Sequence, residues 1–213
     1  MLERMTEQRS EEWYESRKTK FTGSMFPILM TNDRSGKNMG KTALNYIKVV
    51  AAEHITRYRH IVGSASMSWG IDNEEEAFNH VNAYSGKVFD PTSFHVYRGP
   101  DKRLHNVIGA TPDGINDTMV LEIKCPYNHQ YHFDRVIDPA EFLKEIKWQV
   151  VGEMMCSERN KALCVSYDPR FDGKYRMVQS EVELIESDVD LLTNRILEAK
   201  VILDDLLNKF RSK

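Results

Sequence analysis

The stretch from Gly109 to Pro126 constrains this chain more than any other. Pro112-Asp113-Gly114 makes a sharp turn, and the apolar-rich run 119–125 that follows carries Glu122 and Lys124. Pro before and Gly after an Asp is turn chemistry, and alternation at period two puts residues i and i+2 on one side of a strand. Glu122 and Lys124 are therefore expected on one face, with Leu121, Ile123 and Cys125 directed into a core. Carboxylates gathered at a strand bend repel one another, so Asp113 beside Glu122 makes sense when a cation lies between them. Oxygen donors of this kind favour Mg2+ or Mn2+, which keep several waters and take one or two carboxylates along with substrate phosphate oxygens. That donor set belongs to metal-assisted phosphodiester hydrolysis.

At 213 residues and 41% hydrophobic, the chain can bury a sizeable core, and a single domain over 1–213 is expected. No stretch approaches the roughly 20 apolar residues of a membrane span, and the first residues lack the apolar run of a secretory signal. No membrane contact and a cytoplasmic location are the corresponding expectations. Cys125, Cys156 and Cys164 are odd in number and show no CxxC spacing, which speaks against a disulfide framework or a zinc or iron–sulfur site and for buried thiols. The net charge of −3 gives no global signal for nucleic acid, although a local basic channel is compatible with it.

Along the chain, Ser10 followed by Glu11 and Glu12 reads as a capped helix start. Trp13 and Arg17, four residues apart, then share a face; a solvated Arg17 is the plainer alternative. Residues 31–42 form a polar, Gly-rich loop. Its Gly36-Lys-Asn-Met-Gly-Lys-Thr42 imitates a phosphate loop but is one residue short, with Ser35 where the glycine is required. An ATP site is rejected, and Arg34, Lys37 and Lys41 are left as either backbone contacts to nucleic acid or solvated charges.

Two helices are expected next. Residues 42–59 present Leu44, Ile47, Ala51, Ile55 and Tyr58 inward, and residues 69–84 present Ala77, Phe78 and Val81. In the second, the acids 74–76 are either a solvated face or the source of one site carboxylate. Residues 87–89, 94–97 and 107–110 read as short strands, and 127–137 as a polar loop holding His129 and His132, which at a spacing of three on a helix could ligate a metal, although such a lone pair is more often structural or adjacent to a phosphate. Asp138-Pro139-Ala140-Glu141 opens a helix, with a capping acid, Pro at the first helical position and an acid in the first turn. It continues through Phe142, Ile146, Val150 and Met154, with Gln149 beside that stripe. Strands at 162–167 and 175–182 flank a turn-rich connection. An amphipathic helix over about 186–211 carries Val189, Leu192, Ile196, Ala199, Leu203, Leu206 and Phe210 at heptad-like spacing; internal packing and a partner contact both fit. The expected fold is α/β (α+β), a central mixed sheet flanked by helices.

Pro112-Asp113 with Glu122-Ile123-Lys124 matches the PD-(D/E)xK nuclease signature. The wider Gly109-x-x-Pro-Asp-Gly114 and Leu121-Glu-Ile-Lys-Cys-Pro126 resemble the lambda exonuclease branch of YqaJ-type viral recombinases. Trp13-x-x-x-Arg17, Thr22-Gly-Ser24, Arg34-Ser-Gly-Lys37, Trp69-Gly70 with Glu74, and Gln149 extend the likeness to about residue 158. The resemblance implies a restriction-endonuclease-like core in which Asp113, Glu122 and the Ile123 carbonyl bind Mg2+, with Mn2+ able to substitute, and Glu74 meets a second metal or its water. It further implies that Lys124 activates or orients water, that Gln149 supports the site, and that Arg17 and Ser24 hold a terminal 5′-phosphate.

By the same resemblance, the protein is expected to be a phage or prophage 5′-to-3′ exonuclease on double-stranded DNA with 5′-phosphorylated ends. It would release 5′-mononucleotides, leave a 3′ overhang, assemble as a homotrimeric ring and work with a single-strand annealing protein in recombination. The competing expectations are a site-specific endonuclease on the same core and a non-catalytic DNA-binding accessory protein.

Overall fold

The computed structural model describes residues 8–59 and 63–213. The N-terminal helix α1, Glu11–Arg17, starts where Ser10 caps it by accepting from the Trp13 amide. Strand β1, Phe21–Thr22, runs through a tight turn at Gly23–Met25 into the short α2, Phe26–Leu29. Helix α3, Lys41–Thr56, ends with Arg57 in the left-handed region, and α4, Ala65–Tyr84, is capped by Ser64. Strands β2, His95–Val96, β3, Ile108–Ala110, β4, Gly114–Ile115, and β5, Met119–Lys124, come next. Helices α5, His129–Ile137, and α6, Pro139–Ser157, lead to β6, Lys161–Tyr167, β7, Met177–Glu183, and α7, Glu186–Arg211.

The strands form two sheets, β1-β3-β2 and β4-β5-β6-β7. In the larger sheet β4 and β5 are antiparallel with Gly114 opposite Leu121, and β6 and β7 form the expected antiparallel hairpin. Strands β5 and β6 are parallel, with Glu122 opposite Cys164. Parallel neighbours need a crossover of a dozen residues or more, and α5 with α6 supplies it.

Both faces of this sheet are covered. Ala77, Val81 and Phe89 pack on Leu121, Ile123, Leu163 and Val165 from one side, while Phe142, Ile146, Val150 and Met154 cover Val120, Ala162 and Cys164 from the other. Helix α6 is in turn covered by a layer containing α2, α3 and α7, whose core includes Phe26, Ile47, Val50, Leu192, Ile196 and Leu203. At Gly152 this contact is so close that a Cβ would stand 2.1 Å from Phe26 Cε2. Among the described residues, no helix is long and apolar enough to cross a membrane.

Four sequence expectations are corrected. Residues 127–137 are not a loop: Asn128 caps α5, whose buried face is the polar pair His132 and Arg135, so no apolar period announces it. Residues 87–89 form no strand, because the Asn82 side chain donates to the Phe89 carbonyl and accepts from its amide, at 3.0 and 2.9 Å, in place of a ladder. In α3 the buried set is Ala43, Tyr46, Ile47, Val50 and Glu53, whereas Ile55 and Tyr58 are exposed. Two of those buried positions are polar and satisfied: Tyr46 Oη accepts from the Thr22 amide, and Glu53 accepts from the Thr19 amide and Arg59. In α7 the buried stripe ends at Leu207 in place of Leu206, with Phe210 exposed. That is the drift of a helix of about 3.6 residues per turn away from a 3.5 repeat, and α7 packs on its own chain.

Candidate active site

Asp113 is set by the end of the β4–β5 pairing. Its amide donates to the Leu121 carbonyl at 2.9 Å, and its Oδ2 accepts from the Ile123 amide at 2.6 Å. Glu122 and Lys124 lie together as the strand period demands, with Lys124 Nζ 2.7 Å from Glu122 Oε1. Helix α6 closes over that face, and Glu122 is 2% exposed. Gln149 arrives from α6 and binds both partners, donating from Nε2 to Glu122 Oε1 at 2.7 Å and accepting from Lys124 Nζ at 3.0 Å.

One residue was missed from sequence. Glu153, a turn beyond Gln149 on the same helix, is 1% exposed, accepts from Gln149 Nε2 at 2.9 Å through Oε1, and leaves Oε2 buried with no partner. Its signal was present as a lone acid in the otherwise apolar run 150–156, one turn after Gln149.

The electrostatics follow from crowding. Burial, and then the charges of Glu122 and Glu74, push the Asp113 carboxyl well above the usual carboxylate range. Burial followed by Glu122 does the same to Glu153. For Lys124, burial works against the charge, but the charge and hydrogen bond of Glu122, with Asp113 behind them, outweigh it and raise its pKa. The ammonium therefore keeps its proton. Glu74 on α4 is close enough to act on Asp113 and is ion-paired to Arg9.

Arg17 and Ser24 line a separate cavity of about 530 Å³, together with Trp13, Asn45 and Arg59. The Arg17 guanidinium lies 4.1 Å from the Trp13 ring centroid and donates to Thr111 Oγ1 at 3.3 Å, which also accepts from Trp13 Nε1 at 3.1 Å. Thr111, two residues before Asp113, thus ties this cavity to the acid cluster. Arg59 is neutralised by Glu53 at 2.7 Å, while Arg17 has no ion-pair partner among the described residues. Burial first, and then the charge of Arg59, lowers the Arg17 pKa to about 10.

His129 and His132 do not form a metal pair. His129 is exposed, whereas His132 is buried between Ser166 Oγ at 2.9 Å and the Tyr175 carbonyl at 2.8 Å. Among the described residues, no three His, Cys, Asp or Glu side chains already form a metal cage. The acid cluster still fits a hard divalent cation, because Asp113, Glu122 and Glu153 outnumber the single ammonium of Lys124 and one carboxylate oxygen is orphaned.

The mixed sheets and their helical layers define a mixed α/β fold in which Asp113, Glu122 and Lys124 are brought together. Residues 12–160 match the model of the YqaJ-like viral recombinase domain, and the chain belongs to that family, a family of nucleases. No curated protein matches the sequence. Among solved structures, the fold is shared with an alkaline exonuclease from Laribacter hongkongensis, at 22% identity and a TM-score of 0.83 over 95% of this chain and 97% of that one. The same protein in complex with dAMP gives a TM-score of 0.84 at the same identity and coverage. A phage-related exonuclease from Haemophilus somnus 129PT gives 0.72 at 15% identity, over 90% of this chain and 96% of that one.

Proposed function

We propose that the protein is a Mg2+-dependent exonuclease that digests linear double-stranded DNA from 5′-phosphorylated ends, releases 5′-mononucleotides and leaves a 3′ single-stranded overhang for annealing-based recombination. The observation that carries this reading is the pairing of a part-buried acid–lysine–glutamine cluster with a cavity holding Arg17, the two joined through Thr111.

Asp113, Glu122 and the Ile123 carbonyl would hold the metal, and Glu74 is the candidate toward a second; Mn2+ has the same preference for oxygen ligands. A bound Mg2+ supplies Lewis-acid polarisation of the scissile phosphate and lowers the pKa of a water. The chain's own residues do the rest. Lys124, 2.7 Å from Glu122 Oε1, orients or activates the attacking water and stabilises charge developing on the phosphate. Gln149 holds Lys124 and Glu122 in register. Arg17, with a planar fork suited to phosphate, and Ser24 hold the terminal 5′-phosphate. That contact would make the 5′ end the starting point.

Support for DNA as substrate comes from family membership and from the shared fold of the alkaline exonucleases. By the same family likeness, the working form is a homotrimeric ring acting in the cytoplasm alongside a single-strand annealing protein. Strand-specific products on linear and closed circular duplex test the activity, with ends either phosphorylated or hydroxylated. Loss of 5′-phosphorylated strands from linear DNA alone is expected. Digestion of closed circles, or equal rates on the two kinds of end, would refute the end-dependent part. Asp113→Ala should abolish Mg2+-dependent turnover while DNA binding and folding persist, and retained turnover would remove Asp113 from the site. Mass in solution tests the trimer.

A further inference from the structure

Gln149 uses every hydrogen-bonding group of its amide. Nε2 donates to Glu122 Oε1 at 2.7 Å and to Glu153 Oε1 at 2.9 Å, and Oε1 accepts from Lys124 Nζ at 3.0 Å. The amide works in one orientation only: turned over, its oxygen would face two carboxylates and its NH2 group an ammonium. Glu122 cannot secure that orientation alone, since its Oε1 is already shared with Lys124 at 2.7 Å. Glu153 provides the second acceptor, from a helix whose neighbouring residues Val150, Val151, Gly152, Met154, Met155 and Cys156 are all buried.

An apolar side chain there would bury no carboxyl, whereas Glu153 keeps one carboxyl oxygen buried without a hydrogen-bond partner. Such a group lowers stability and calls for a reason other than packing. We propose that Glu153 is a positioning residue: it fixes the orientation of the Gln149 amide and, through it, the placement of the Lys124 ammonium against Glu122. The consequence for turnover rests on the nuclease reading; the fixed amide does not.

The test compares Glu153→Met, Glu153→Gln, Gln149→Met and the double variant Gln149→Met/Glu153→Met with wild type. Glu153→Met should lower kcat by about 10–100-fold, the range for groups that orient an active-site ligand, with KM for DNA ends unchanged. Glu153→Gln keeps an acceptor in place and should recover most of kcat. The double variant should be no slower than Gln149→Met, because a residue acting through Gln149 has nothing left to act on.

Unchanged kcat in Glu153→Met, failure of Glu153→Gln to rescue, or a further loss in the double variant overturns the proposal. A second readout needs neither metal nor DNA. The side-chain amide protons of Gln149 should exchange slowly in wild type and Glu153→Gln and rapidly in Glu153→Met; rapid exchange in wild type also overturns the proposal. A wild type that digests no DNA would refute the functional reading and leave the exchange measurement decisive for Glu153.

Discussion

Replacing Gly152 with alanine should destabilise the protein although it sits inside a helix, and replacing Gly70 should do the reverse. A Cβ on Gly152 would lie 2.1 and 2.2 Å from Phe26 Cε2 and Cδ2, while one on Gly70 meets nothing within 4 Å. Carbon atoms rest about 3.5–4.0 Å apart, so the Phe26 ring would have to retreat by roughly 1.4 Å or more. Phe26 is fully buried, with no solvent to retreat into. Overpacking of this kind costs about 1–3 kcal/mol, and the overlap belongs at the upper end. Against it stands the helical preference of Ala over Gly, about 1 kcal/mol.

The net effect is a loss of about 2 kcal/mol for Gly152→Ala, or about 4–8 °C in Tm for a chain of this size. Gly70→Ala keeps only the favourable term, up to about 1 kcal/mol. Urea and thermal unfolding of the two variants measure the contrast. Adding Phe26→Leu should recover part of the Gly152→Ala loss by shortening the side chain that is struck. A Gly152→Ala protein as stable as wild type would refute the close approach of α2 and α6.

On the proposed function, Arg17→Ala removes a charge-assisted phosphate contact worth about 1.5–3 kcal/mol, so kcat/KM on 5′-phosphorylated ends should fall by about 10–150-fold; Arg17→Lys should not restore it, because an ammonium lacks the planar fork. Equal kcat/KM for wild type and Arg17→Ala would remove the role. The thiols should be inert: burial, and then Asp113 and Glu74, push Cys125 up to about 12, and burial raises Cys156 and Cys164 as well. A chromogenic disulfide at about pH 8 should titrate none of them in the native protein and all three after unfolding, and rapid native labelling would contradict this. Burial is the largest cause lowering the His132 pKa, so the unfolded chain takes up a proton there before the folded one does. Its stabilising share is present above the ordinary histidine value of about 6.5 and is lost as pH falls through and below it. His54 and His80 shift the same way. His132→Asn should therefore lose less stability than wild type between about pH 7.5 and 5.5, and identical pH dependence would refute the assignment.

Local chemistry made much of the fold legible. Ser10 and Asp138 announce α1 and α6 because a side-chain oxygen accepting first-turn amides is a contact between near neighbours. The extent of α7 was readable for a similar reason, since Leu192, Ile196, Ala199 and Leu203 recur at steps of three and four along it. What stayed hidden depends on partners distant in sequence. Helix α5 buries His132 against Ser166 and Tyr175, so its inward face carries no hydrophobic signal. Glu53 occupies the core of α3 only because Arg59 and the Thr19 amide meet it there.

The same distinction runs through the candidate site. The closeness of Glu122 and Lys124 is a property of two positions on one strand, and Asp113 is bound to that strand by a turn, so the sequence alone brings these three together. Gln149 comes from a helix 25 residues beyond Lys124; its place beside the apolar stripe was readable, and the family likeness alone gave it a part in the site. Glu153 belongs to neither category. Its carboxylate lies where helical periodicity expects an apolar side chain, and it is held there by one amide that also grips β5. Helix α6 therefore has two tasks in conflict: toward α2 it must be smooth enough for Phe26 to press on Gly152, and toward β5 it must carry buried polar groups that weaken packing. The position next to Gly152 is where they meet. A chain that needed only to fold would have placed a hydrophobic residue at 153, so the acid retained there is best understood by what it holds in place.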